Sequence, residues 1–277
     1  MKKTLTRTLS GAVYVAIVVS AIYAGRWLGR PAVGFAIFST VFLAMAVIGL
    51  YEFYHNLDIK GVAVNKGLGY IVGIATYIAL TCFAYHHLII YAVAILPCLW
   101  SLVALAQLWR KDERPFATIG YTLIPTIWIV IPLFLMQSIG NYAAGMLMMM
   151  FICTWVNDTG AYLVGKTMGR HHMWEYHSPN KTWEGTLGGA LFCILCAIFV
   201  GPLLQDGLTW WYWAIIGIIC SGSGTLGDLV ESMFKRSCGV KDSGKIMPGH
   251  GGILDRIDSI LMIIPFIWAL VAMGQLI

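Results

Sequence analysis

Residues 232–258 read S-M-F-K-R-S-C-G-V-K-D-S-G-K-I-M-P-G-H-G-G-I-L-D-R-I-D, holding five basic and three acidic side chains, one histidine and five glycines. The chain around them is 59% hydrophobic and only 11% charged, and apolar runs flank the stretch at about 209–233 and 257–276. Charge gathered between two such runs, in a chain this poor in charge, implies a polar loop joining membrane helices and a chemical reason for the charge. The glycines and Pro248 let backbone come close to a ligand, and Lys235, Arg236, Lys241, Lys245 and Arg256 suit phosphate. Asp242, Asp255 and Asp258 suit a divalent metal, which phosphate chemistry also uses. These residues imply a membrane-embedded enzyme that handles phosphates with a metal ion.

Working outward, a membrane helix needs ~20 mostly apolar residues. Nine segments fit, at about 9–26, 31–50, 67–85, 87–108, 118–138, 142–164, 184–205, 209–233 and 257–276. The expected fold class is therefore all-α, a polytopic integral membrane protein of about nine transmembrane helices forming one domain over 1–277. Lys and Arg orient it by their excess on the cytoplasmic side. With the N-terminus inside and the C-terminus outside, 16 of the 18 basic residues fall in cytoplasmic segments, and only Arg26 and Arg30 do not. The opening M-K-K-T-L-T-R-T-L-S reads as an uncleaved signal-anchor. The seven cysteines lie mostly in apolar spans, where they act as small apolar residues, the C-x-x-C of Cys193 and Cys196 included.

A carboxylate within a span is costly and is a functional candidate for that reason. Asn157 and Asp158 lie within the sixth span, and Asp228 and Glu231 within the eighth. Asp228, Glu231, Ser232 and Lys235 stand at i, i+3, i+4 and i+7, a single helical face. Asp255 and Asp258, one turn apart, open the ninth span as a second acidic face. A Glu231–Lys235 or Asp228–Lys235 pair within the helix is the plain structural alternative. Gly222-Ser-Gly224-Thr-Leu-Gly227 satisfies G-x-G-x-x-G, but with no strand before it the pattern reads as close helix packing rather than dinucleotide binding. In S-P-N-K-T-W-E-G (178–185), Ser178 and Pro179 favour a turn and Thr182 can cap the next helix, with Glu184 in its first turn. Lys181 beside that helix start suits an anion. His171 and His172 read as a wet interfacial loop.

Taken together these residues resemble the phosphatidate cytidylyltransferase family. Ser232, Lys235, Arg236, Lys241, Asp242, Gly244, Pro248, His250, Gly251, Gly252, Asp255, Arg256 and Asp258 fall at the spacing of its signature, with Met247 where Leu, Ile or Phe is more usual. The N-D-x-x-A-Y and S-P-x-K-T-x-E-G elements match at 157–162 and 178–185, so the motif-bearing catalytic half is about 151–260. The resemblance implies transfer of a cytidylyl group from CTP to phosphatidate, giving CDP-diacylglycerol and pyrophosphate. It implies Mg²⁺ held by Asp228 and Asp255, an accompanying monovalent cation such as K⁺, and a homodimer. Lys235, Arg236, Lys241 and Arg256 would neutralise phosphates, with Lys181, Ser178, Ser232, Asp242 and Asn157 contacting substrate. Asp158, Glu231 and Asp258 would shape the cavity or support the metal ligands, and His250 would orient a phosphate or a carboxylate.

The chemistry agrees with that expectation. A phosphate monoester has a second pKa of ~6, so near neutral pH the lipid is already a nucleophile and needs no Ser-His-Asp system. The expected partners are CTP and phosphatidate, with no nucleic acid, at a cytoplasm-facing site in a bacterial inner membrane. Two other readings compete: an ion-coupled transporter, and a CTP-dependent polyprenol or phytol kinase of related architecture.

Overall fold

The computed structural model describes residues 2–85, 89–249 and 251–274. Helix α1 (Lys2–Leu28) turns into α2 (Pro31–Lys60), followed by α3 (Lys66–Tyr85) and α4 (Ile89–Gln107). Helix α5 (Pro115–Pro125), a π-helical turn (Thr126–Val130) and α6 (Ile131–Tyr142) run on as one rod, and α7 (Ala144–Met168) comes next. A small hairpin of β1 (His172–Trp174) and β2 (Ser178–Thr182) precedes α8 (Trp183–Leu204), α9 (Trp210–Ser237) and α10 (Leu254–Gly274). Among the described residues eight helical stretches are long and apolar enough to cross a membrane, and Ala94–Gln107 of α4 is a shorter apolar helix. Eight of the nine segments expected from hydropathy thus have spanning length, and the expected 87–108 segment is represented by α4 with its shorter apolar stretch.

The π turn has a local cause. Pro125 and Pro132 offer no backbone N–H to the helix, and the Ile131 N–H instead reaches back five residues to the Thr126 carbonyl. The antiparallel hairpin, paired His172 to Thr182 and Trp174 to Ser178, stands where the sequence reads only as a loop. Thr182 does cap α8: its Oγ1 accepts from the Gly185 N–H at 3.2 Å. Glu184 in the first turn accepts the N–H groups of Arg170 and His171 at 3.1 and 3.2 Å.

The residues group into two compact units, the first Met1–Ser138 with Cys238–Leu254, the second Ile139–Ser237 with Asp255–Ile277. The first is knit by polar groups that hydrocarbon would otherwise leave unsatisfied. Gln137 is the hub. Its Oε1 accepts from Tyr77 Oη at 2.7 Å and Thr81 Oγ1 at 3.1 Å, and its Nε2 donates to Ser39 Oγ at 2.5 Å. Helices α1 and α2 approach so closely that a Cβ on Gly34 would fall on the backbone of Gly25. Outside the spans, Asp112 accepts from Thr118 Oγ1, the Arg114 N–H and Gln107 Nε2, which holds its carboxyl below the usual range.

In the second unit small residues set the helix spacing. A Cβ on Gly189 would lie 2.6 Å from the Asn157 carbonyl, and one on Gly217 2.7 Å from Ile194 Cα. Within G-x-G-x-x-G, a Cβ on Gly227 would lie 2.8 Å from the Asp258 carbonyl, whereas one on Gly222 meets nothing within 4 Å. Close packing of α9 on α10 accounts for Gly227.

Candidate active site

The helical spacing of α9 puts Asp228, Glu231, Ser232 and Lys235 on one face, and Ser232 Oγ donates to Asp228 Oδ1 at 3.3 Å. Helix α10 brings its first turns against that face. One ligand atom from each of Asp228, Glu231 and Asp258 lies within 4.8 Å of the others, so the two acidic faces meet.

Two lysines enter the cluster. Lys181, just before the α8 cap, places Nζ 2.7 Å from Asp228 Oδ2 and donates to the Thr225 carbonyl at 3.3 Å. Lys235 pairs with Glu231 on its own helix and reaches Asp255 Oδ1 on α10 at 2.6 Å. The intrahelical pair thus forms, but as one arm of a bridge between helices. Asp158 on α7 lies within electrostatic reach of Asp228, Lys181 and Arg256.

Five carboxylates (Asp158, Asp228, Glu231, Asp255 and Asp258) therefore gather with three cationic side chains (Lys181, Lys235 and Arg256), so carboxylates outnumber cations by two. Glu231 is 1% exposed and its Oε1 accepts no hydrogen bond. The buried Oδ1 of Asn157 is likewise without a donor, while its Nδ2 faces Thr225 Oγ1 at 3.5 Å. Buried acceptors left bare are costly unless a cation completes them, and an all-oxygen donor set suits Mg²⁺, Ca²⁺ or Mn²⁺.

Asp255 is engaged by Lys235, and the close trio comprises Asp228, Glu231 and Asp258. Ser178 is half-buried at the start of β2, and Arg236 is exposed near the end of α9. Lys241 and Asp242 are exposed on the 238–254 segment of the first unit, and His250 lies outside the described residues.

One residue sequence reasoning missed organises that segment. Glu52 of α2 is 1% exposed and accepts from the Ile253 and Leu254 N–H groups, both at 2.9 Å, and from Ser243 Oγ at 3.2 Å. One turn on, Asn56 Nδ2 donates to the Ser243 carbonyl at 3.0 Å. Gly244 and Gly252 press on the same carboxylate, where a Cβ on Gly252 would lie 2.5 Å from Glu52 Oε1. The only signal in the sequence is a carboxylate at the end of an apolar run.

Helices long and apolar enough to cross a membrane, together with an acidic, lysine-braced cluster in the second unit, define a membrane protein with a candidate cation site. The profile of the cytidylyltransferase family matches residues 5–273, and the chain belongs to that family. Over 157 residues it is 39% identical to proteins named phosphatidate cytidylyltransferase from Staphylococcus saprophyticus and Staphylococcus epidermidis. Over 158 residues it is 41% identical to the one from Staphylococcus aureus. Each alignment takes in 57% of this chain, which spans 60% of the length of these curated relatives.

Proposed function

We propose that the chain is a membrane-embedded nucleotidyltransferase converting CTP and phosphatidate to CDP-diacylglycerol and pyrophosphate. The observation that carries this reading is the Asp228–Glu231–Asp258 trio, with bare Glu231 Oε1, braced by Lys181 and Lys235. Family membership and the names of the relatives supply the substrate class. The whole chain acts as one membrane domain, oriented N-in and C-out in a bacterial inner membrane, with its chemistry on the cytoplasmic side and in the motif-bearing half. A homodimer belongs to the same reading.

A phosphate oxygen of the lipid attacks the α-phosphorus of CTP, the bond to the bridging oxygen breaks, and pyrophosphate leaves with that electron pair. Near neutral pH the attacking monoester is largely dianionic, so no side chain has to remove its proton. What the chain must overcome is repulsion between two anions and their misalignment. Lys181 and Lys235 reach the cluster from different elements, and with Arg256, Arg236 and Lys241 they neutralise phosphate oxygens. Asp228, Glu231 and Asp258 would hold Mg²⁺, which supplies charge neutralisation and alignment of phosphate oxygens. Asp255 sets the position of Lys235. The excess of carboxylate leaves room for a monovalent ion such as K⁺.

Detergent-purified protein given labelled CTP, phosphatidate and Mg²⁺ should form labelled CDP-diacylglycerol, and none when the metal is chelated. Product with a polyprenol or phytol acceptor but not with phosphatidate would replace the lipid substrate. No transfer to any of the three, from folded protein, would sink the nucleotidyltransferase reading.

A further inference from the structure

Helix α2 is 30 residues long. At ~1.5 Å per residue it spans ~45 Å, against ~30 Å of bilayer hydrocarbon, so about its last ten residues extend beyond the core. The apolar run ends at residue 50 accordingly. On this extension Tyr51, His55 and Ile59, spaced four apart, form an exposed stripe, while Glu52 and Asn56 form the buried stripe beside it. The Tyr51 and His55 rings are nearly parallel, 6° apart with centroids 5.7 Å apart.

The buried stripe holds the 238–254 segment through the Glu52 and Asn56 hydrogen bonds, and a cleft of about 690 Å³ remains between segment and helix. Tyr51, His55 and Ile59 line its helix side; Lys241, Asp242 and Lys245 line its loop side. Flat rings and an aliphatic side chain offer a face for a planar base, which stacks without regard to its hydrogen-bonding edges. Two flexible ammonium groups suit phosphates, and an exposed carboxylate supplies the acceptor that an exocyclic amino group or a ribose hydroxyl requires. The cleft combines the three recognition chemistries of a nucleoside phosphate on a water-accessible part of the helix. Glu52 also borders the cleft, and its carboxylate is turned to two backbone N–H groups and a serine hydroxyl of the segment.

We infer that this cleft is a nucleotide site, with the base on the Tyr51–His55 face and the phosphates on Lys241 and Lys245. The inference rests on the nucleotidyl-transfer reading and adds α2, which lies outside the signature, to the groups that bind CTP. The test is equilibrium binding of labelled CTP to the full-length detergent-solubilised protein. Tyr51 is 51% exposed and lies outside the buried stripe of α2, so its substitution spares the buried core. Tyr51→Ala should weaken CTP binding about fivefold or more, the loss expected for one stacked base, while Tyr51→Phe keeps the ring and the affinity. Lys245→Ala should weaken CTP binding more than cytidine binding. If the wild type binds CTP and the Tyr51→Ala/His55→Ala double variant binds it equally well, the cleft is not the site and the proposed function stands. If the folded wild type binds no CTP, both readings fall.

Discussion

Lys235 joins two helices: its Nζ lies 2.6 Å from Asp255 Oδ1 on α10 while it also pairs with Glu231 one turn back on α9. One ammonium therefore bridges two carboxylates from different elements. Removing one partner of a buried ion pair leaves charge uncompensated and typically costs about 3–5 kcal/mol.

Lys235→Met should accordingly lower the unfolding temperature of the detergent-solubilised protein as well as abolish transfer. A Lys235→Met/Glu231→Leu double variant should regain much of the stability and none of the activity. Activity returning with stability would make Lys235 purely a structural residue.

Metal binding can be read without turnover. Wild type should take up Mn²⁺, seen as loss of the free-ion electron paramagnetic resonance signal, and Asp228→Asn or Asp258→Asn should weaken that uptake about tenfold or more as the ligand charge falls. Asp255→Asn should keep the uptake and lose turnover, since Asp255 acts on Lys235. Weakened Mn²⁺ uptake in Asp255→Asn would bring this carboxylate into the ligand set.

Glu52→Gln exchanges one of two acceptor oxygens for a donor while at least three groups still require acceptance. Leaving a buried N–H unsatisfied costs about 1–3 kcal/mol, enough to loosen the segment locally. Trypsin should then cut at Lys241 or Lys245 faster than in wild type. Unchanged cleavage would show that Asn56 and the glycine contacts suffice to hold the segment.

The glycines of G-x-G-x-x-G should separate cleanly. Gly222→Ala meets open space within a helix and should be neutral or stabilising by about 0.5–1 kcal/mol. Gly227→Ala must displace the Asp258 carbonyl at 2.8 Å and Met262 Cβ at 2.9 Å, so thermal stability and transfer should both fall. Equal effects at the two positions would contradict packing as the reason for the motif.

Transfer should also depend on the lipid's ionisation. Below its second pKa of ~6 the nucleophilic dianion is depleted about tenfold per pH unit, and initial rates should follow. A flat rate between pH 5 and 7 would mean that another step limits turnover.

The helices and much of the acidic cluster were legible because their signals are local. Apolar length marks the spans, and the i, i+3, i+4, i+7 order of Asp228, Glu231, Ser232 and Lys235 gives their shared face on α9. The pairing of Lys181 with Asp228 was not legible, since a single Lys suits an incoming phosphate as well as a carboxylate on another helix. The division of labour between Asp255 and Asp258 depends on how α10 is rotated about its axis, which spacing along one helix cannot specify. Glu52 was hidden most deeply. Its partners include a serine and two backbone N–H groups, and backbone groups carry no side-chain signature.

Glu52 is also separated from Ile253 by 201 positions in the chain. At the usual synthesis rate of about 5–20 residues per second, that interval lasts roughly 10–40 seconds. During translation the carboxylate must stay hydrated at the membrane surface, because the groups that later enclose it do not yet exist. The first unit is thus finished by its last-made piece, long after its second helix has been made.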